Sequence, residues 1–281
     1  MGKFTGVLLA SDFDNTLIHT EPAVRSGEPI PPLSEKNRQA LEYFMAEGGC
    51  FAVSTGRALP AFMKYADQVP ANAPAVVCNG AALYDFEAEE YLELAMLGGE
   101  VRERGQLMLD LFPQLAVEAY HIENMIYAVH PNEITRSHKR ITKVGTEVKD
   151  SLLEVPLPLG KLLFEADDGT LEQVKAIMEE KGWAQDYELI FSGHNLLEMT
   201  VRGANKGYMV GRLAERLGIS MEHVYCVGDQ ANDISMLQAA ATGFAPANCS
   251  EAVRSCGAVI VADAREGALA DVIRILDEKY A

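Results

Sequence analysis

The feature that most constrains the fold is a series of short, continuous apolar runs, each followed by a glycine or small polar residue and then a helical pattern. Continuous runs of this length are typical of strands buried on both faces, whereas strands with one solvent-exposed face alternate apolar and polar residues. Strands and helices in alternation predict an α/β chain with a parallel, doubly wound, Rossmann-like sheet. The runs are GVLLASDFDNT (6–16), CFAVSTGR (50–57), PAVVCNGA (74–81), HVYCVGDQAND (223–233) and AVIVAD (258–263).

A different pattern occupies the middle of the chain, where apolar and polar residues alternate. The segments LAVEAYHI and MIYAVH flank a predicted hairpin turn at Glu123-Asn124. A further strand, an amphipathic helix and two more strands follow, which together read as an α+β unit. We therefore predict a catalytic core over residues 1–82 and 199–281, with residues 83–198 inserted as an α/β cap domain.

The net negative charge of the chain limits the classes of partner that it is expected to bind. The formal net charge of the 281 residues is −17, which argues against binding to nucleic acid or anionic membranes, because both require a basic surface. Residues 83–198 hold 23 acidic and 10 basic residues, so the predicted cap carries most of the excess. An acidic cap disfavours highly anionic substrates, unless its acids face away from the cleft.

Two features predict a cytoplasmic protein. The apolar run near the N-terminus is too short for a signal peptide, and no stretch approaches the roughly 20 residues of a membrane span. The five cysteines form no CxxC pair, which favours reduced thiols in a reducing compartment. A monomer and a homodimer are both compatible with the sequence.

Acidic residues follow two of the predicted strands. Asp12 and Asp14 lie on one side of an extended segment after the first strand, and Asp229 and Asp233 follow the fourth. The first pair alone could serve as turn or cap residues, whereas helix capping would explain one of Asp229 and Asp233 but not both. If the strands are neighbours, however, up to four carboxylates converge, and a divalent cation is needed to neutralise them. Oxygen ligands of this kind predict Mg²⁺.

Other polar residues at these strand ends are suited to binding phosphate. Thr55 and Gly56 offer a hydroxyl and an unhindered backbone N–H, although an ordinary strand-to-helix turn has the same composition. Lys206 stands in the first turn of a predicted helix, where a cation opposes the helix dipole. Its position therefore suggests a role other than stabilising that helix.

Together these groups resemble the haloacid dehalogenase superfamily. Its four motifs stand in order as SDFDNTL (11–17), STGR (54–57), Lys206 in ANKG, and GDQAND (228–233). The inserted middle segment makes the chain similar to the Cof-type, class IIB phosphatases over nearly its whole length. Asn15 stands where the family usually has glycine, and asparagine tolerates the left-handed turn expected there.

The resemblance implies specific roles. Asp12 would be the nucleophile that forms an aspartyl-phosphate, and Asp14 the general acid and then the general base. The metal, Mg²⁺, would be held by Asp12, the backbone carbonyl of Asp14, Asp229 and Asp233. The residues that would hold the transferring phosphoryl group are Thr55, Gly56, Lys206 and Asn232.

The implied activity is a Mg²⁺-dependent phosphatase acting on a small phosphorylated metabolite, either a sugar phosphate or a phosphorylated cofactor. A phosphomutase with the same chemistry and a non-catalytic regulatory protein are the alternatives. The cap is expected to close over the site and contact the substrate. Candidate substrate residues, each at least as compatible with packing or turn formation, are Asn79, Arg57, His121, Tyr127 and His130.

Overall fold

A computed structural model describes residues 2–121, 125–142 and 144–281, so the predicted turn at Glu123-Asn124 lies outside the described residues. The helices are α1 (Glu21–Ser26), α2 (Glu35–Ala46), α3 (Leu59–Ala66), α4 (Val101–Leu111), α5 (Glu133–Thr142), α6 (Asp168–Glu180), α7 (Lys206–Leu217), α8 (Ile234–Ala239), α9 (Glu251–Arg254) and α10 (Ala268–Lys279). The strands are β1 (Leu8–Ser11), β2 (Cys50–Val53), β3 (Ala75–Val77), β4 (Ala82–Asp85), β5 (Glu90–Leu94), β6 (Ala116–His121), β7 (Ile126–Val129), β8 (Thr146–Lys149), β9 (Leu159–Glu165), β10 (Tyr187–Gly193), β11 (Leu196–Val201), β12 (Val224–Val227), β13 (Thr242–Pro246) and β14 (Val259–Val261). Among the helices described, none is long and apolar enough to span a membrane.

A five-stranded parallel sheet forms the centre of the fold, with the strand order β14-β13-β12-β1-β2. Every residue of β1 and β12 is buried, as expected for strands covered on both faces. Ser11 at the end of β1 pairs with Val227 on one side and Val53 on the other, so β12, β1 and β2 end at the same edge. The predicted α/β class with a parallel sheet is confirmed.

Two strands differ from the predicted arrangement. The run PAVVCNGA forms β3, which pairs antiparallel with β4 and meets the end of β2 through a parallel bridge between Ser54 and Val76. The fifth strand of the parallel sheet is instead β13, which the apolar pattern did not predict. Its Gly243 and Pro246 are poor strand residues, and they interrupt the apolar run on which the prediction relied.

The chain divides into two compact units. The first unit consists of three segments, namely the chain up to Gly56, Met63–Glu93 and Asn205–Ala281. The second unit consists of Arg57–Phe62 and Leu94–Ala204. The second unit contains a six-stranded sheet in the order β10-β11-β9-β6-β7-β8, antiparallel except for the pair β7 and β8. The assignment of residues 83–198 to a cap domain stays a prediction.

The six-stranded sheet has two chemically different faces, because successive side chains of a strand point to opposite sides. One face packs against α4 and α6 and is apolar, with Val117, Leu162 and Met199 all fully buried. The other face carries buried charged and polar side chains. These are Glu118, Tyr120, Lys161, Glu165, Glu198 and Thr200.

Helix α7 has the amphipathic pattern that the sequence predicts for residues 207–217. Met209, Val210 and Leu213 are fully buried against the parallel sheet, in the same apolar cluster as Leu8 of β1. The helix begins at an N-cap, where Asn205 Oδ1 accepts a hydrogen bond from the N–H of Tyr208 at 2.9 Å. This cap fixes the position of Lys206, the first helical residue.

Candidate active site

The aligned ends of β12, β1 and β2 bring three of the predicted motifs to one edge of the parallel sheet. Asp12 follows β1 directly and donates its N–H to the carbonyl of Val227 at 2.8 Å. Ser54 follows β2, donates its N–H to the carbonyl of Ser11 at 2.8 Å, and is followed by Thr55. Because these hydrogen bonds continue the sheet by one residue on each strand, the motif residues are held on rigid backbone.

Lys206 joins two of the acidic motifs. Its side chain is fully buried, and its Nζ lies 2.6 Å from Asp12 Oδ1 and 2.5 Å from Asp233 Oδ1. A Cβ atom at the next residue, Gly207, would lie 2.4 Å from the carbonyl oxygen of Ser235. The absence of a side chain at Gly207 therefore lets the first turn of α7 approach the start of α8 closely enough for this contact.

The two acids of the GDQAND motif have different surroundings. Asp233 Oδ2 accepts hydrogen bonds from the N–H groups of Asp229 and Gln230, both at 2.9 Å, so this carboxylate organises the turn after β12. Asp229 accepts from Thr16 Oγ1 at 3.0 Å and from Gln230 Nε2 at 3.1 Å. These two hydrogen bonds orient a carboxylate that is 1% exposed.

The charges at this edge do not balance. Asp12, Asp229 and Asp233 each offer one carboxylate oxygen within 4.8 Å of the others, and Lys206 supplies one positive charge among them. Two negative charges remain on a buried cluster, which is unfavourable in a low-dielectric interior. The residues present therefore fit a single divalent cation, and the all-oxygen donor set suits Mg²⁺.

The pKa values reflect the same imbalance. Burial, and then the charges of Asp233, Asp229 and Asp14, raise the pKa of Asp12 well above its usual range although Lys206 opposes the shift. Burial and the neighbouring Asp233 raise the pKa of Asp229 to about 7. For Lys206 burial lowers the pKa, but the charges of Asp12 and Asp233 outweigh it and the net shift is upward. Lys206 is therefore protonated at neutral pH.

Asp14 lies in a more accessible position. Its side chain is half-buried, and its Oδ1 accepts a hydrogen bond from Thr20 Oγ1 at 2.7 Å. Asn15 adopts the expected left-handed conformation, with φ of 56°, and its Oδ1 accepts from the N–H groups of Thr20 and Glu21 at 3.1 and 2.9 Å. Asn15 therefore stabilises the turn that a glycine would only permit, and it orders the chain that carries Asp14.

Buried amide groups mark a second part of this edge. Asn232 Nδ2 donates to Asn79 Oδ1 at 2.8 Å, and a Cβ atom at Gly56 would lie 2.9 Å from the same oxygen. Within the described part of the chain, Asn79 Nδ2, Asn232 Oδ1 and Ser54 Oγ are buried without a hydrogen-bond partner. Asn79, predicted as a substrate residue, is thus brought next to two of the predicted phosphate-binding residues.

The remaining substrate candidates belong to the second unit of the chain. Arg57 is half-buried directly after Gly56. In the second unit, the rings of His121 and Tyr127 meet edge to face with centroids 6.3 Å apart, and His130 is exposed after β7. A role of these residues in substrate binding stays a prediction.

Three residues of the site were not predicted. Thr16 and Gln230 orient Asp229, and their signal was a hydrogen-bonding side chain inside a recognised motif. Asn248 Nδ2 donates to the carbonyl of Asn15 at 2.8 Å, and Asn248 Oδ1 accepts from the N–H of Ala264 at 2.9 Å. The local sequence does not predict these two hydrogen bonds, because they join segments that are distant along the chain.

Comparison with known proteins agrees with this geometry. Residues 9–273 match the model of the haloacid dehalogenase-like hydrolases. The chain belongs to this family. Among its curated relatives are the pyridoxal phosphate phosphatase YbhA of Escherichia coli, 25% identical over 95% of this chain and 97% of the relative, and the 5-amino-6-(5-phospho-D-ribitylamino)uracil phosphatase YcsE of Bacillus subtilis, 25% identical over 95% and 94%.

The solved structures extend the agreement to the fold. A sugar phosphatase of HAD subclass IIB matches with a TM-score of 0.80 at 19% identity, over 96% of this hydrolase and 99% of that chain. The predicted resemblance to the Cof-type haloacid dehalogenase phosphatases is confirmed by the family match, and the solved neighbour shares the fold.

Proposed function

We propose that this hydrolase is a Mg²⁺-dependent phosphatase that cleaves a small phosphorylated metabolite through an aspartyl-phosphate on Asp12. The observation that supports this most strongly is the buried contact of Lys206 with Asp12 and Asp233, in a cluster that retains two negative charges. Such a cluster attracts a divalent cation, and the cation and Lys206 together reduce the repulsion between Asp12 and an anionic phosphate.

The phosphoryl group would be held at the aligned strand ends. Lys206 Nζ supplies a positive charge beside the attacking carboxylate, while Thr55 and Gly56 lie at the end of β2 with a hydroxyl and a backbone N–H to offer. The unpartnered Asn79 Nδ2 supplies a further donor next to Asn232. Because unpartnered buried amides are costly in the absence of a ligand, this arrangement supports a polar occupant at this edge.

In the first step, a carboxylate oxygen of Asp12 attacks phosphorus and the bond between phosphorus and the ester oxygen breaks. Asp14 gives its proton to the leaving oxygen, so that an alcohol rather than an alkoxide departs. When bound, the divalent cation supplies Lewis-acid stabilisation of charge on the phosphoryl oxygens. The products of this step are the free alcohol and a phosphorylated Asp12.

In the second step, water attacks the phosphorus of the phosphorylated Asp12. Asp14, now a carboxylate, accepts a proton from the water, and the bond between phosphorus and the Asp12 oxygen breaks. Inorganic phosphate leaves, and both carboxyl groups return to their starting states. The half-buried position of Asp14 supports this role, because a residue that exchanges protons with water must remain accessible to it.

The relatives support the substrate class. YbhA is named for pyridoxal phosphate and YcsE for a phosphorylated ribitylaminouracil, and both substrates are small phosphate monoesters. We expect a substrate of this size, either a sugar phosphate or a phosphorylated cofactor or precursor. The five cysteines of the chain are free, which supports action in the reducing cytoplasm.

A panel of phosphorylated metabolites tests the proposal. The full-length protein is assayed with Mg²⁺ and with EDTA, beside Asp12→Asn and the exposed control Asp67→Asn. We expect turnover that requires Mg²⁺, is retained in the control and falls by more than about a thousandfold in Asp12→Asn. Mass spectrometry after rapid acid quenching should locate phosphate on Asp12.

Other outcomes would replace the proposal. Turnover that persists in EDTA or in Asp12→Asn would exclude the mechanism. Transfer of the phosphoryl group to a second hydroxyl rather than to water would indicate a phosphomutase. Mg²⁺ binding without turnover on any substrate would indicate a regulatory protein.

A further inference from the structure

A second cluster of metal-ligating side chains lies in the second unit, on the polar face of the six-stranded sheet. It consists of Glu118 on β6, Glu165 on β9 and His138 on α5, which offer one ligand atom each within 4.8 Å of one another. Glu118 is 1% exposed and Glu165 is fully buried. The mechanism proposed above uses none of these residues.

The fold places the three side chains together. Strands β6 and β9 are antiparallel neighbours in which Glu118 lies opposite Leu163 and Glu165 opposite Ala116, so the two glutamates are diagonal neighbours on one face. Asn132 Nδ2 donates to the carbonyl of Glu165 at 2.9 Å and ties the start of α5 to this point of the sheet. His138, on the second turn of α5, thereby reaches both glutamates.

The charge of Glu165 is only partly compensated. Among the residues that the structure describes, neither of its carboxylate oxygens has a hydrogen-bond partner. Burial and then the charge of Glu118 raise the pKa of Glu165 to about 7, although the nearby Thr135 hydroxyl and the charges of His138 and Lys161 oppose this shift. A buried carboxylate in this state is costly unless a cation joins it.

Lys161 compensates the charge of Glu165 only in part. Lys161 lies on the same face, but its Nζ is 3.0 Å from Glu198 Oε2 and 4.4 Å from the ring centroid of Tyr120. Among the charged residues that the structure describes on this face, three buried carboxylates therefore share one lysine and one histidine. Even with His138 protonated, one negative charge remains.

We propose that Glu118, His138 and Glu165 bind one divalent transition-metal ion of the Zn²⁺ type. His138 Nδ1 lies 2.8 Å from Glu118 Oε2 and 3.6 Å from Glu165 Oε1. Nitrogen and oxygen ligands bind zinc at about 2.0–2.2 Å, which places ligand atoms of one ion about 3 to 3.6 Å apart. The two glutamate oxygens lie within 4.8 Å of each other, so side-chain rotation can bring all three ligand atoms to these spacings, and the ion balances both carboxylates.

The ligand chemistry separates this site from the Asp12 cluster. An imidazole nitrogen favours zinc and neighbouring transition metals, whereas the Asp12 cluster offers oxygen ligands only and suits Mg²⁺. Tyr120 donates its hydroxyl to Glu118 Oε2 at 3.0 Å, the type of outer hydrogen bond that orients a ligating carboxylate. The His138 side chain is 20% exposed, which leaves a route by which an ion can enter.

Metal titration of the full-length protein in excess Mg²⁺ tests the assignment. Zn²⁺ binding is followed by competition with a chromogenic chelator, and Co²⁺ binding by its visible absorption spectrum. We expect one Zn²⁺ per chain that excess Mg²⁺ does not displace. Its dissociation constant should rise by at least about 10- to 100-fold in His138→Gln and in Glu165→Gln.

Two matched variants control for indirect effects. His194→Gln removes an exposed histidine, and Glu198→Gln removes a carboxylate from the same sheet face without removing a proposed ligand. Both should bind Zn²⁺ within about threefold of the wild type. Equal losses in Glu198→Gln and Glu165→Gln would mean that charge alone attracts the ion, and unchanged binding in His138→Gln and Glu165→Gln would overturn the assignment.

The Zn²⁺ affinities can be interpreted even if a variant folds less well than the wild type. Glu165→Gln keeps the side-chain shape and removes a buried charge that is only partly compensated, so metal-free Glu165→Gln should unfold at a urea concentration no lower than the wild type. Should His138→Gln fail to fold, the wild-type protein loaded with Co²⁺ decides the point. A paramagnetically shifted proton resonance from a histidine ring is expected, and its absence would contradict the proposal.

Discussion

Lys206 occupies a position that its own helix disfavours. A cation in the first turn of a helix opposes the dipole, and complete burial adds a desolvation cost. Both costs are offset by Asp12 and Asp233, which lie 2.6 and 2.5 Å from its Nζ. The residue therefore stabilises the fold only together with its two partners, and its removal leaves their charges buried without compensation.

Substitution of Lys206 tests this dependence. We expect Lys206→Met to lower the free energy of unfolding by about 3–5 kcal/mol, because breaking a buried ion pair leaves an unpaired charge. Urea denaturation measures the loss. In the control Lys175→Met, which breaks a partly exposed contact of 3.9 Å with Glu179, the loss should stay below about 1 kcal/mol. Equal losses in the two variants would contradict the structural role of Lys206.

A second prediction for a single residue concerns the pH dependence of the free energy of unfolding. The pKa of Asp229 is raised to about 7, first by burial and then by Asp233, whereas an unfolded aspartate titrates near 4. Between about pH 4 and 7 the folded, metal-free chain therefore holds a proton that the unfolded chain has released. Its free energy of unfolding should fall as the pH rises through this window, as measured by urea denaturation in EDTA.

Metal binding should show the opposite trend, because Asp229 must lose its proton to bind a cation. We expect the affinity for Mg²⁺ to increase up to about tenfold per pH unit below pH 7 and to level off above it, in isothermal titration calorimetry. The variant Asp229→Asn should lose most of the affinity and the part of this dependence that belongs to Asp229, leaving only that of Asp12, whose pKa is also raised. A pH-independent affinity in the wild type would show that Asp229 is not a ligand.

At the scale of elements, the start of α7 depends on close backbone contact with α8. Two glycines of α7 form a matched pair for testing this. A Cβ atom at Gly207 would lie 2.4 Å from the carbonyl oxygen of Ser235, whereas a Cβ atom at Gly211 would meet open space. Although both glycines lie in the same helix, only Gly207 has no room for a side chain.

Opposite effects follow from the two substitutions. Gly207→Ala should destabilise the protein by about 1–3 kcal/mol because the helices must separate, and it should weaken Mg²⁺ binding by displacing Lys206. Gly211→Ala should stabilise it by up to about 1 kcal/mol through helix propensity. Urea denaturation and calorimetry measure both effects, and equal changes at the two positions would refute the close-contact argument.

The elements also show how far the sequence predicts the fold. Continuous apolar runs predicted β1, β2 and β12 and the edge where Asp12, Thr55 and Asp229 meet, because buried parallel strands have few other patterns. The pattern could not predict β13 or the pairing of β3 with β4, since tertiary contacts decide both. The cluster of Glu118, His138 and Glu165 was likewise missed, because it depends on strand pairing and on the position of α5.

At the scale of the whole molecule, each of the two proposed cation sites draws its ligands from one unit. Asp12, Asp229 and Asp233 belong to the first unit, and Glu118, His138 and Glu165 to the second. A ligand stabilises the structure that it binds by an amount that grows with its concentration relative to the dissociation constant. Each cation should therefore protect a different part of the chain.

Hydrogen exchange detected by mass spectrometry can resolve the two effects. Mg²⁺ should slow the exchange of peptides that contain residues 8–16 and 224–233, and Zn²⁺ added in excess Mg²⁺ should slow those that contain residues 116–121 and 159–165. At a cation concentration about 100 times the dissociation constant, the stabilisation is about 2.7 kcal/mol, or about 100-fold slower exchange where opening exposes the site. Zn²⁺ protection confined to residues 8–16 and 224–233 would mean that both ions bind the Asp12 cluster, because an ion held by Glu118 and Glu165 must restrain β6 and β9.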